Sequence, residues 1–257
     1  MDLPGPNLFE IQRRMAGTQE GVGRKKAAFE SLDVRSAQTI LDVGCGGGQL
    51  VYDLALSVGD AGQAVGVDTN AQQLDAAYKQ CASLSNASFS KASCAALPFE
   101  DNFFDRIVSI QTLEYIDDVD QALAEIHRVL KPNGRLVTIS VLWDHWRFHG
   151  PEEGLNHRIH QAWQSHCFHQ MLPLDLPRRL TNLQFIGPQC VPLGFFNHSF
   201  HYNSFPRLAS EMVVCYARNH GIPEIDLTKW KNQLQAAADK QHFGFVSMPV
   251  LTSALKA

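Results

Sequence analysis

Two rhythms of apolar residues run along this chain, and the change between them falls near residue 142. Before it, short unbroken apolar runs alternate with stretches at helical spacing. Thr39-Ile40-Leu41-Asp42-Val43 runs into glycines and reads as a buried parallel strand. Ala64-Val65-Gly66-Val67-Asp68 is a second strand, Ala87 to Lys91 a weaker third, Arg106 to Ile110 a fourth and Arg135 to Val141 a fifth. Between the last two, Val119, Ala122, Leu123, Ile126, Val129 and Leu130 recur at the period of a helix. Asp118 is its expected N-cap, and Lys131-Pro132-Asn133-Gly134 ends it. Strands alternating with helices predict an α/β fold with a doubly wound, mostly parallel sheet.

Beyond residue 142 the pattern turns to helix and loop. Leu155, Ile159 and Trp163 share one helical face. Leu183 to Leu193 has strand character, broken by Pro188 and Pro192. Ser204 and Pro206 start a helix carrying Leu208, Met212 and Tyr216, which stops near Gly221. Asp226 is expected to cap another, carrying Leu227, Trp230 and Leu234, and Phe243 to Leu251 is the candidate last strand. The expected division is a core over residues 1–142, then a helical substrate cap with the sheet's last strands over 143–257.

Composition narrows the function. Of the 11 histidines only His127 precedes residue 142, and all four tryptophans follow it. The hydrophobic fraction of 45% supports a large core without disulfides or metals. A net charge of -4 with no basic stripe argues against a nucleic-acid partner. No apolar run is long enough to span a bilayer and the first residues lack a signal peptide's blocks, so no membrane partner and a cytoplasmic location are expected. The six cysteines form no C-x-x-C pair and fit no zinc framework. The pairs His157/His160 and His166/His169 lack an accompanying carboxylate motif, so no metal is expected.

The most informative segment is Asp42-Val43-Gly44-Cys45-Gly46-Gly47-Gly48. A strand ending in such a turn brings bare backbone up to a ligand, and the following helix presents free N–H groups. Dinucleotides and S-adenosylmethionine both use this arrangement. The dinucleotide fingerprint needs a small residue where Gln49 stands, whereas Asp42, Gly44, Gly46 and Gly48 meet the D-x-G-x-G-x-G spacing. An acid just before the turn suits the ammonium of S-adenosylmethionine. Asp68, ending the next strand, can accept both ribose hydroxyls; the alternative for Asp68 is the N-cap of a helix over Ala71-Gln72-Gln73-Leu74.

Here the chain resembles the class I S-adenosylmethionine-dependent methyltransferases, in the small-molecule branch with the ubiquinone/menaquinone-biosynthesis and arsenite enzymes. The likeness covers residues 20–142. It rests on Ile40 to Gln49, Val65 to Asp68, Ala96-Leu97-Pro98-Phe99 through Phe103-Phe104-Asp105, and Glu125 to Arg135. The cysteines lack a convergent arsenic-binding pattern.

The resemblance implies a seven-stranded Rossmann-like sheet and S-adenosylmethionine as cofactor. It places Gly44, Cys45 and Gly46 along the methionine, with Asp42 and Gln49 flanking them, and Asp68 on the ribose with Thr69 and Gln73 beside it. Ser93 stands where an acid usually reads the adenine amino group, and the Cys94 backbone N–H is the expected partner of an adenine nitrogen. Ser109, Ile110 and Gln111 would face the methionine, and Arg24 its carboxylate. Asp105 reads as a turn or strand-start residue rather than a ligand.

Methyl transfer from a sulfonium is an in-line displacement that needs alignment and, for a neutral nucleophile, a proton acceptor. His145 and Glu114 are the candidate bases. Tyr115, Trp143, Trp146, His198 and His201 are the candidate acceptor contacts, the tryptophans by stacking. The expected activity is methyl transfer to a small-molecule O, N or C nucleophile by a monomer or homodimer. A non-catalytic cofactor-binding scaffold is the alternative. A nucleotide-dependent oxidoreductase ranks behind both because of Gln49.

Overall fold

A computed structural model describes residues 8–257. The chain divides into two compact units. The first comprises residues 24–141, 171–192 and 249–257. It is built on a seven-stranded sheet of order β3-β2-β1-β4-β5-β10-β7. The strands are β1 (Thr39–Val43), β2 (Gln63–Asp68), β3 (Ala87–Lys91), β4 (Phe104–Ile110), β5 (Leu130–Val141), β7 (Phe185–Pro192) and β10 (Pro249–Lys256). β1 to β5 are mutually parallel, while β10 runs antiparallel to both β5 and β7. This is the mixed, mostly parallel seven-stranded architecture of the class I methyltransferase type.

The parallel strands are legible as apolar runs because helices cover them. α3 (Gln49–Val58) packs on β1 and β2, and α4 (Ala71–Gln80) on β2 and β3. α5 (Val119–Val129) buries Val119, Ala122, Leu123, Ile126 and Val129 in one core with Leu41, Val65, Ile107 and Leu136. α7 (Leu172–Asn182) adds Leu172, Leu176 and Leu180 to the same core. Asp118 caps α5 as expected, its carboxylate accepting from the Gln121 N–H at 3.0 Å. The Lys131–Gly134 segment loops out of the β4–β5 register, which jumps from Phe104↔Leu130 to Arg106↔Arg135. Asn133 takes φ 62° there.

The second unit gathers residues up to Gly23 with 142–170 and 193–248. It holds a three-stranded antiparallel sheet of order β6-β9-β8: β6 (Arg147–His149), β9 (Gly244–Ser247) and β8 (Phe195–Asn197). α1 (Leu8–Ala16), α6 (Glu153–Gln164), α8 (Phe205–Asn219) and α9 (Glu224–Asp239) belong to it; α2 (Gln19–Leu32) runs from this unit into the first. Its core is aromatic. Trp146 stacks on Trp163 at 5.2 Å between centroids and meets Phe245 edge-on at 5.0 Å. The fully buried Trp230 donates its indole N–H to Asn156 Oδ1 at 2.9 Å.

Two expectations about elements are corrected, and one helix had not been expected. The stretch Phe243–Leu251 is two strands, β9 and β10, in different sheets, divided at Met248. α9 begins at Glu224 with Pro223 before it, so Asp226 lies in the first turn, where its carboxylate accepts from Arg158. α7 carries the i, i+4, i+8 face Leu172, Leu176, Leu180, which Pro173 and Pro177 disguise in the sequence. Pro173 lies in the first turn, where no intrahelical donor is lost, and the buried face offsets the bond Pro177 removes.

Candidate functional site

The glycine loop follows from backbone geometry. Gly44, Gly46 and Gly48 have φ of 75°, 51° and 78°, a region that L-residues with a Cβ disfavour. They differ in surroundings. A Cβ on Gly44 would fall 2.0 Å from Thr112 Oγ1, and one on Gly48 would fall 2.9 Å from the Ala77 Cβ. A Cβ on Gly46 would meet only the tip of Gln73, at 3.6 Å. Gly44 and Gly48 thus seat the loop against the protein, while Gly46 presents bare backbone to open space. The Gly44 and Cys45 N–H groups donate to Val67 O at the end of β2, at 2.8 and 3.0 Å.

Asp68 ends β2 and locks the loop. Its Oδ2 accepts from the Gly46 N–H at 3.0 Å and its Oδ1 from the Asn70 N–H at 2.9 Å. The N-cap of α4 is Asn70, whose Oδ1 accepts from Gln72 and Gln73, so the capping alternative for Asp68 is excluded. Two of the carboxylate's roughly four lone-pair directions remain for a ligand diol.

Asp42 lies in β1 beneath the loop. Burial first, and the Asp68 charge second, raise its pKa to about 7. The Cys45 thiol packs over Gly66, where a Cβ would come within 2.7 Å of Sγ. Burial, then Asp42 and Asp68, push that thiol's pKa far up, which disfavours the thiolate. Ser109 is buried, its hydroxyl donating to Val43 O at 3.0 Å, a staple between β4 and β1. Ile110 is half-buried at the end of β4. Gln111 adopts φ 51°, donates its N–H to Ile139 O at 2.7 Å, and accepts at Oε1 from the buried guanidinium of Arg24. Gln49 and Gln73 are half-buried on either side of Gly46–Gly48, and Thr69 is exposed. Ser93 is exposed and its Oγ accepts from the Ala95 N–H at 3.2 Å; Cys94 is buried.

Glu114 is 0% exposed, in the 3-10 turn Leu113–Tyr115 after β4. Its Oε2 accepts from Ser140 Oγ on β5 at 2.8 Å, and its buried Oε1 has no hydrogen-bond partner. Burial raises the Glu114 pKa to about 7, opposed by nearby backbone N–H groups, Ser140 and the Arg24 charge. Tyr115, beside it, is partly exposed. Arg24, Gln111, Glu114 and Ser140 thus cluster at the ends of β4 and β5.

The remaining acceptor candidates lie in the second unit. Trp143 and Trp146 are buried and meet edge-on at 5.7 Å, members of its aromatic core. His145, His198 and His201 are exposed, and His198 stacks on Phe196. His160 is buried, accepts from the Phe148 N–H at Nε2, and has its pKa lowered to about 3 by burial and then by Arg147. Ser140, Thr112 and Asn70 escaped the sequence reading. The Asn-x-x-Gln spacing just after Asp68 could have signalled the cap; nothing local marks Ser140.

The sequence description of a methyltransferase domain matches residues 41–138, from β1 to β5, with the loop, Asp68 and Glu114 inside. Over these residues the chain is similar to the class I S-adenosylmethionine-dependent methyltransferases. It is also similar there to methyltransferases of ubiquinone and menaquinone biosynthesis. It is 34% identical over 142 residues to the 2-phytyl-1,4-naphtoquinone methyltransferase of a Nostoc species, covering 54% of this chain and 58% of that protein. The chain spans little more than half the length of the first curated relatives it matches. Among solved structures, the YcgJ protein of Bacillus subtilis shares the fold at a TM-score of 0.63 and 18% identity, over 91% of this chain and 98% of that one. The [4+2]-cyclase SpnF shares it at 0.59 and 23% identity, over 92% and 80%. Among the described residues no helix is long and apolar enough to cross a membrane.

Proposed function

We propose that this chain transfers a methyl group from S-adenosylmethionine to a small-molecule acceptor. The observation that carries the reading is the open face of Gly46 beside Asp68, bare backbone at the end of β1 next to an acid at the end of β2. Gly44 to Gly46 line the methionine chain, with Gln49 and Gln73 at its margins. Asp68 takes the ribose hydroxyls beside Thr69, the Ser93–Cys94 turn takes the base, and Arg24, steadied by Gln111, takes the carboxylate. The acids Asp42 and Asp68 suit a ligand with an ammonium and a sulfonium. When bound, the cofactor supplies an electrophilic methyl on a positively charged sulfur.

The chain's own contribution is alignment and proton handling. Glu114 is favoured over the exposed His145 as proton acceptor. Its Oε1 is buried without a hydrogen-bond partner, and a pKa of about 7 is matched to taking a proton near neutral pH. A hydroxylated aromatic ring of the quinol kind is the acceptor class, supported by likeness to the naphthoquinone enzyme.

A second reading has one observation behind it: the fold is shared with a cyclase, so the same sheet serves chemistry other than methylation. Calorimetry with S-adenosylmethionine and with NAD, then a mass-scored screen of quinols with methyl-labelled cofactor, separates the readings. Labelled product supports methyl transfer. Tight cofactor binding with no labelled product from any acceptor overturns it in favour of the second reading.

A further inference from the structure

The segment joining β3 to β4, residues 92–103, has no regular structure, yet it is pinned along most of its length to one helix. Three residues at helical spacing on α5 do this. Gln121 Nε2 donates to Ala95 O at 3.3 Å. Glu125 Oε2 accepts from the Leu97 N–H at 2.8 Å. Arg128 donates to Leu97 O at 2.9 Å, Phe99 O at 2.7 Å and the Asp101 carboxylate at 2.9 Å, and is itself gripped by both oxygens of Glu125. The main chain completes the seam: the Asn102 and Phe103 N–H groups donate to Arg128 O and Val129 O. At the other end, the Ala92 N–H donates to the main-chain oxygen of Asp68 at 3.2 Å. The Ser93–Cys94 turn is therefore suspended between two fixed points, one on Asp68 and one on α5.

We propose that Glu125 and Arg128 are positioning residues for base recognition: by fixing residues 95–101 they hold the Ser93–Cys94 turn at a set distance from Asp68. The inference rests on the cofactor reading above. A planar guanidinium suits the task, because it reaches two carbonyls and two carboxylates at once, which a lysine cannot. The base is read by a backbone N–H donor at Cys94, and such a donor discriminates only while its position is fixed. Adenine offers a bare ring nitrogen there, whereas hypoxanthine offers an N–H.

The test uses the whole chain with S-adenosylhomocysteine and S-inosylhomocysteine as probes. The wild type is expected to prefer the adenine probe by about tenfold or more. In Arg128→Ala that ratio is expected to fall to about two, with KM for S-adenosylmethionine up about tenfold and kcat at saturation within about twofold. Arg128→Lys restores part of the ratio. Glu125→Gln serves if Arg128→Ala does not fold, and is expected to move the ratio the same way. A ratio unchanged in both folded variants, or a fall in kcat with KM unmoved, overturns the proposal. Failure of the wild type to bind the adenine probe overturns the cofactor reading itself; a wild type that binds both probes equally overturns base reading at Cys94 alone.

Discussion

The carboxylate of Asp68 and the backbone N–H of Gly46 are joined at 3.0 Å, so the acid that is to meet the ribose also shapes the loop that is to meet the methionine. Its other oxygen accepts from Asn70 and sets the start of α4. Asp68→Ala is therefore expected to do two things. Cofactor affinity falls by about 30-fold or more, and stability by about 1–3 kcal/mol, because two backbone donors lose a charged acceptor. Calorimetry and urea unfolding check the two effects separately. Unchanged affinity in the folded variant removes Asp68 from the site.

The glycines of the loop are not equivalent. Gly44→Ala places a methyl against the Thr112 side chain at a positive φ, and a loss of about 3 kcal/mol or more is expected. Gly46→Ala has room and bears only the left-handed strain, about 1–2 kcal/mol. Its methyl, however, occupies the space left for a ligand, so Gly46→Ala should fold and bind cofactor at least about tenfold more weakly. Melting curves alongside binding isotherms distinguish the two outcomes.

Glu114 links stability to pH. Its folded pKa of about 7 lies above that of an unfolded chain's glutamate, 4.5. Between those values the folded state holds more protons than the unfolded state, so stability is full below the lower value and declines as pH rises through the upper one. Asp42, raised for the same reason, adds to the decline. Glu114→Gln keeps a neutral side chain at every pH. Its denaturation midpoint should match the wild type near pH 5 and exceed it at pH 8. The reverse order would refute a buried, proton-holding carboxyl.

Asp42 makes a separate prediction about binding. Burial and the Asp68 charge raise its pKa to about 7, and a cation brought beside it lowers it. Cofactor binding should then release protons, and affinity should strengthen as pH rises from about 6 to 8. Titrations at pH 7 in buffers of different ionisation heat read the proton count. Asp42→Asn should reduce the buffer dependence.

The parts of the fold visible in the sequence were those in which local pattern and tertiary role coincide. β1, β2 and β4 are covered by helices and read as apolar runs, and α5 shows its buried face at 3.6-residue spacing. α7 was hidden because its two prolines look like breaks, although its leucines keep the helical spacing. The break between β9 and β10 was hidden because both strands are apolar and only their partners differ. At the site the loop was legible, since positive φ makes glycine the favoured residue. The positive φ of Gln111 was not, because it is stabilised by bonds to Ile139 and Arg24 that sequence spacing does not show. The Glu114–Ser140 contact joins two strand ends across the sheet and leaves no trace in either segment.

The place of β10 constrains the order in which the molecule can be finished. It lies between β5 and β7 and pairs with both. During synthesis β5 and β7 emerge first, and neither has its neighbour until residues 249–256 arrive. Through that interval two strand edges are open to pairing with other chains. Pro188 and Pro192 carry no N–H, so β7 offers fewer donors as a template. A ribosome-stalled fragment ending near residue 248 should therefore be a self-associating species, and release of the last strand should end that state.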